Sequence, residues 1–416
     1  MGQFSNWLAG SFALVVRFHF EAAVIVVWAA AVGACIDIPL AKAEIAEDVV
    51  DRYQYAVTNI VREQEPAQWA EAQYRLGNVL LRIGQRDGTT SKFSEAIAAY
   101  HAALTEIPRN RMPVQWARVS NNIGIATFAI GEHTNDMEKI GESVAVFRQV
   151  LEERTRARNP NEWAATQKNL GIALLSLGQR KGELDALTAA LWSFGEALKE
   201  FQRNRSPVEW AATEMYMGDA LMRSGELGRE AGDISRAIIA YEEALTVFTR
   251  TEAPRDWAIV QSKLGSALLA VSIYESGDRN VLLAIDAFRA ALEELSREED
   301  PQQWVRTEVS LGNALKRFGE SRGDRMRLDE AVVIYRQSLL MLKRRESPSL
   351  WASVQNNLGG VLAALGRIER DATKIRESIS AFRAALEEWT PERALHDNEI
   401  VRRNIARATL ALENFR

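Results

Sequence analysis

The chain has 416 residues, of which 47% are hydrophobic and 26% charged, with a formal net charge of −5. That balance describes a folded protein, excludes a low-complexity chain, and lacks the basic excess of a dedicated nucleic-acid binder. The single cysteine, Cys35, excludes a disulfide framework and a thiolate metal site.

The chain opens on an apolar stretch, Ala22 to Ala34, that carries no charge. It suits the core of a secretory signal and is shorter than the ~18 to 20 residues that cross a bilayer. Arg17 and His19 precede it, and Pro39, Ala41 and Ala43 follow with the small-residue spacing of a cleavage site. Residues 1–43 are therefore expected to be a signal peptide or membrane-targeting segment. Cleavage after Ala43 would make the mature chain periplasmic or secreted. Three alternatives stay open: lipidation at Cys35, retention as an uncleaved anchor, and a buried helix of a cytoplasmic protein. Membrane contact is expected only through this segment, if it is uncleaved or lipidated.

From there on the chain repeats. Trp69, Trp116, Trp163, Trp210, Trp257, Trp304 and Trp351 recur every 47 residues, each three residues after a proline, from Pro66 to Pro348. A fixed period of this size means one supersecondary unit stacked on copies of itself. Half a unit comes first, at 44–65, where Val49, Val50 and Tyr53 match a second helix displaced by one period. Seven full units begin at residues 66, 113, 160, 207, 254, 301 and 348. A more polar capping helix closes the array at about 395–413, with Leu395 and Asn398 where proline and tryptophan would stand.

One unit, Pro160 to Ser206, shows the logic. Trp163, Gln167, Leu170, Leu174 and Leu177 define one face of a helix. Asn159 before the proline and Glu162 after it have the pattern of a capping box, repeated at Ser206, Asp300 and Ser347. Gly84, Gly131, Gly178, Gly225, Gly319 and Gly366 are expected to end the first helices in left-handed conformation, with Ser272 the exception. A second helix follows through Leu187, Leu191, Phe194, Ala197 and Phe201. No segment alternates as a strand would. Sixteen helices result, in an all-α architecture of stacked helical hairpins.

Aligned copies place Leu76-Gly77, Ile123-Gly124, Leu170-Gly171, Met217-Gly218, Leu264-Gly265, Leu311-Gly312 and Leu358-Gly359 in register. Second helices carry Ala96, Tyr100 and Ala103, echoed at Ala237, Tyr241 and Ala244 and at Ala284, Phe288 and Ala291. This pattern resembles the tetratricopeptide repeat over about 44–413. The likeness implies a right-handed α-solenoid whose small residues let helices approach while an aromatic ring fills the gap. The units depart from that family in length, 47 residues against 34. Their tryptophan also lies one turn earlier than the family's.

Identical tryptophans are expected to be packing anchors, since a ligand-stacking ladder that reads one partner would vary along its length. Trp210→Ala is expected to cost roughly 3–5 kcal/mol. Recognition belongs at positions that differ between copies. In the family, first-helix residues around the Leu-Gly pair line the concave groove. The resemblance thus nominates Tyr74, Arg75, Asn78, Asn121, Asn122, Lys168, Asn169, Tyr216, Asp219, Lys263, Asn313, Asn356 and Asn357. Amides can bond both edges of a peptide backbone and cations can hold carboxylates. Asn78 and Asn122 match part of the family's carboxylate clamp, but Tyr74 and Ala165 stand where it needs basic residues.

Arginines of the links, such as Arg109, Arg203 and Arg344, are expected to favour helix C-termini, with an anion-binding ridge as the alternative. Paired acids such as Glu152-Glu153 and Glu293-Glu294 read as solvated faces. His101, His133 and His396 are scattered, and no phosphate loop or H-E-x-x-H pattern occurs. No catalytic residue, cofactor or metal is expected. The sequence points to a non-enzymatic scaffold for a protein or peptide partner, with no nucleic acid. Self-association in an envelope complex and binding of a small molecule or glycan are the alternatives.

Overall fold

The computed structural model describes residues 44–414 apart from Ser276, with side chains from Val49. The leader, and with it Cys35 and the Ala43 cleavage position, lies outside the described residues. The contacts divide the chain into two compact units, one ending at Asp233 and the other beginning at Ile234.

The first unit holds α1 (Glu44–Asn59), α2 (Pro66–Asp87), α3 (Thr90–Leu104), α4 (Pro113–Thr134), α5 (Met137–Glu153), α6 (Pro160–Lys181), α7 (Leu184–Ala197) and α8 (Pro207–Gly228). Consecutive helices pack on one another, and first helices also touch the next first helix, as α2 does α4. The half unit docks through Val49, Val50 and Tyr53 onto Val79 and Ile83 of α2. Helix α9 (Ala231–Leu245) straddles the division between the units.

The second unit continues with α10 (Pro254–Val271), α11 (Arg279–Glu294), α12 (Pro301–Arg322), α13 (Arg325–Met341), α14 (Pro348–Glu369), α15 (Ala372–Glu388) and α16 (Pro391–Glu413). The same alternation of hairpin and neighbour contacts runs through it. The closing helix bends at Ala394, whose φ of −154° and ψ of 65° are not helical. Ala394 stands one period after Ser347, the residue before the α14 proline, where φ is −138° and ψ 60°. The hairpin junction is thus retained in the cap after its proline and tryptophan are gone.

Prolines open the helices where the sequence places them, since a first-turn N–H has no partner to lose. The glycines do something else. Helix α2 runs past Gly84 to Asp87, and the left-handed residue is Gly88, φ 66°. Asn135, Gly182, Arg229, Gly323 and Arg370 take that role in the other units. Gly84 lies inside its helix because a Cβ there would sit 2.8 Å from the Phe93 ring. Close approach, not chain reversal, demands it. Where Ser272 replaces this glycine, α10 stops at Val271 and its cap residue stays right-handed.

The capping boxes are corrected too. Asn159, Ser206 and Ser347 make no side-chain cap bond, and only Asp300 accepts from Gln303 N. Second helices are the ones capped by side chains, at Asp136, Asp324 and Asp371.

At Gly77, Gly124, Gly171, Gly265, Gly312 and Gly359 the hairpin core is one aromatic ring on one glycine. A Cβ at Gly171 would lie 2.6 Å from the Phe194 ring, and one at Gly124 2.7 Å from Phe147. Gly265 with Phe288 and Gly359 with Phe382 repeat the arrangement in the second unit. Trp163 is buried with Ala164, Ala197 and Phe201, and Trp210 packs against the same cluster while staying half-buried.

Candidate functional site

Link arginines such as Arg109, Arg250 and Arg344 are neither free nor devoted to helix ends. Arg109 lies over the Trp116 ring, 4.6 Å from its centroid. It also bonds Glu152 and Glu153 of α5, each at 2.6 Å. Arg250 repeats this with Trp257, Glu293 and Glu294, and Arg344 with Trp351, Glu387 and Glu388. A cation over an aromatic face is attracted by the ring quadrupole. The paired acids are therefore the counter-ions of the preceding link rather than unengaged faces. Arg203 and Arg297 keep the tryptophan contact, with Trp210 and Trp304, and make no ion pair among the described residues.

Several nominated groove residues are consumed by packing. Asn78 Oδ1 accepts from Tyr100 Oη at 2.8 Å and from Asn122 Nδ2 at 2.9 Å. Asn313 Oδ1 accepts from Tyr335 Oη at 2.6 Å and from Asn357 Nδ2 at 2.9 Å. Burial pushes both tyrosine hydroxyls well above their ordinary titration range, so each stays a donor. A buried hydroxyl needs such an acceptor. Aligned copies carry the signal: Asn78 and Asn313 accompany tyrosines, whereas Ile125 and Ile172 accompany Phe147 and Phe194.

Asn121, Lys168, Tyr216, Asp219, Asn313, Asn356 and Asn357 are buried. Lys168 Nζ lies 5.6 Å from the centre of the Phe201 ring. Asn121 Oδ1 accepts from Thr166, and Asn356 Oδ1 accepts from Asn404 Nδ2 at 3.1 Å. Tyr216 stacks on Phe194 with ring centroids 6.1 Å apart. These side chains seal helix against helix, so the row a partner could touch is shorter than the sequence suggests.

What stays accessible in the first unit is Arg75, with Tyr74, Asn78, Asn122 and Asn169 half-buried. Arg118 joins them, lying over the Tyr74 ring at 4.5 Å and 3.5 Å from Glu71, which Arg75 also bonds. Alignment to the family groove missed Arg118 because it stands one helical turn earlier. Lys263, on α10, is half-buried in the second unit.

A second row, near the C-terminal ends of the first helices, also escaped the sequence reading. Its aligned members are Gln85, Glu132, Gln179, Glu226, Ile273, Glu320 and Arg367. Glu132 accepts from Ser176 and Arg180 of α6. Glu226 pairs with Arg223 at 3.1 Å, the two side chains 3% and 11% exposed. Burial drives the Glu226 carboxyl up to about 8 against the pull of Arg223. A repeat position that is polar in six of its seven copies was the available signal.

Among the described residues, no group of His, Cys, Asp and Glu could hold a metal ion, and no helix is long and apolar enough to cross a membrane.

The packing defines a tetratricopeptide-like array of long helical hairpins, in which a glycine of the first helix seats an aromatic ring of the second. No family model and no curated protein matches the chain. Solved structures do. The Cut9–Hcn1 hetero-tetramer of the APC/C aligns at 15% identity and a TM-score of 0.43, covering 86% of this chain. The chain spans 58% of the length of that one. The P58(IPK) TPR domain aligns at 14% identity and 0.24, covering 88% of this chain and 98% of that one. Human IFIT1, solved as a dimer with PPP-AAAA, aligns at 14% and 0.27, covering 84% and 96%. With each of these scores below 0.5, the hairpin class stands on the chain's own packing.

Proposed function

We propose that this chain is a non-enzymatic, exported scaffold that binds a segment of another protein along the first-helix row of its first unit. One observation carries the reading. The residues that repeat identically are spent on packing, while Arg75 and Arg118 are exposed, Tyr74 is half-buried, and all three stand at positions that change between copies, Arg75 being matched in register by Asn122, Asn169 and Tyr216. A surface that varies along an otherwise uniform array is what reading an extended segment requires. Tyrosine and arginine supply the anchors enriched at binding hot spots, and the amides match a peptide backbone.

The test uses Arg75→Glu with Asn169→Asp, which leave the buried seams untouched. Lys168 is avoided because its loss would disturb the packing on Phe201. Partners captured by the wild-type chain and identified by mass spectrometry are expected to be lost in the double variant, at an unchanged melting midpoint. Capture that survives both substitutions would move the binding face elsewhere. Export is part of the same reading, supported by the apolar leader. Intact mass of the purified chain distinguishes a start at Glu44 from lipidation at Cys35 and from a retained leader.

A further inference from the structure

Each second helix turns one face outward, and the aligned copies serve as controls for one another. Residues two turns apart share a helix face. On α13 the outer stripe is Met326, Val333 and Leu340, which are 81%, 53% and 88% exposed. Met326 and Leu340 are the two most exposed large apolar side chains among the described residues. In register with the stripe, α11 has Arg279, Asp286 and Glu293, and α15 has Thr373, Ser380 and Glu387. Trp192 on α7 is exposed as well, but Asp185 and Lys199 bracket it. Single exposed apolar residues are normal. A whole stripe confined to one copy marks a contact surface.

The last member of the stripe also stands where a counter-ion would. Glu293 and Glu294 bond Arg250, and Glu387 and Glu388 bond Arg344. Leu340 and Met341 hold the matching positions after Arg297, which lies over Trp304 and makes no ion pair among the described residues.

The flanking charges say what covers the stripe. Asp329 and Arg336 are two turns apart, on either side of Val333 along the helix, and both lie on the flank of α13 nearer α15. Arg336 bonds Glu377 of α15 at 2.9 Å, and Asp329 meets Arg325 at 3.4 Å. Both side chains stay about half exposed, so each can take a further partner. A second α13 laid antiparallel about Val333 sets Met326 on Leu340 and brings Asp329 of each copy beside Arg336 of the other. Parallel pairing would instead set Asp329 against Glu330 of the second copy, since Glu330 lies on the opposite flank, where Arg289 of α11 bonds it. The stripe is complementary to itself in one orientation, as a two-fold contact between identical chains requires.

We propose that α13 is a self-association surface, on which two copies of this chain pair antiparallel through Met326, Val333 and Leu340. The helix has 17 residues and is about 25 Å long. Such a pair buries less than the ~800 Å² per partner of a standard stable interface, so the dimer is a reversible one. It draws on nothing in the first-helix row that binds the peptide, which lies in the first unit.

Analytical ultracentrifugation of the full chain tests this. The mass is expected to double reversibly with concentration, with Kd in the range of about 1–100 μM. Leu340→Glu gives α13 the acid that α11 and α15 carry there, so the melting midpoint should not fall while Kd rises at least about tenfold. Val333→Asp installs the α11 residue in register and should act likewise. Asp329→Arg should weaken the dimer, and adding Arg336→Asp should restore it. A chain that stays monomeric up to about 200 μM would overturn the proposal and leave the face to a helix of another protein. Association unaffected by Leu340→Glu and Val333→Asp would overturn it as well, and failure of the double charge reversal would overturn the antiparallel register.

Discussion

Two rows run along the first helices, and they obey opposite rules. In one, Gly77, Gly124, Gly171, Gly265, Gly312 and Gly359 each seat a ring of the following helix, and nothing varies but the hydroxyl of that ring. In the other, Gln85, Glu132, Gln179, Glu226, Glu320 and Arg367 change charge from copy to copy. The seam is a steric contact with one solution, so every unit repeats it. The polar row is met unevenly by its neighbours: Ser176 and Arg180 bond Glu132 and Arg223 bonds Glu226, while Gln85 Nε2 and Glu320 Oε1 are buried with no hydrogen-bond partner among the described residues. Uniformity marks what the fold needs, and variation marks where copies are free to diverge.

The seam can be broken hardest at Phe194. Phe194→Ala empties a fully buried site and is expected to cost about 3–5 kcal/mol, read by urea unfolding. A cost under about 1 kcal/mol would mean that the ring is not the keystone of its hairpin. Filling the same contact from the other side should do less. Gly171→Ala sets a Cβ 2.6 Å from that ring, and overpacking of this kind costs typically ~1–3 kcal/mol.

The polar row can be sharpened by pH. The Glu226 carboxyl is held up to about 8 in the folded chain against an ordinary value of 4.5. Between those two values the unfolded chain has released this proton and the folded chain keeps it. Stability from this group therefore falls as pH rises from about 4.5 to about 8, and is flat above. Glu226→Gln should flatten that decline in a pH series of melting midpoints, and an unaltered slope would remove Glu226 as its source.

The smallest effect belongs to the links. Arg109 is paired with two acids but its side chain is 36% exposed, so Arg109→Lys should cost only about 0.2–1 kcal/mol, with a dependence on salt. Arg203→Lys, where no acid is paired among the described residues, should show no salt dependence. Equal salt sensitivity in both would mean that the acids do not matter.

Much of the array was legible in the residues, because a proline can open a helix but not continue one, and because the period places each proline and ring. The glycines misled. Gly84 and Gly178 look like helix ends, since glycine is the usual left-handed residue, yet both lie inside helices facing Phe93 and Leu187. The site was less legible. Asn78 and Asn313 vary between copies as recognition residues would, but a tyrosine hydroxyl across the hairpin claims each of them. The pairing of asparagine with tyrosine, and of isoleucine with phenylalanine, was present in the aligned copies.

By itself the sequence determined the period, the all-helical hairpins and the helix starts, since these follow from local sterics and from apolar spacing along the chain. Only tertiary structure decided which variable residues meet solvent. Whether Lys168 reaches a partner or a buried phenyl ring depends on a contact 33 positions away.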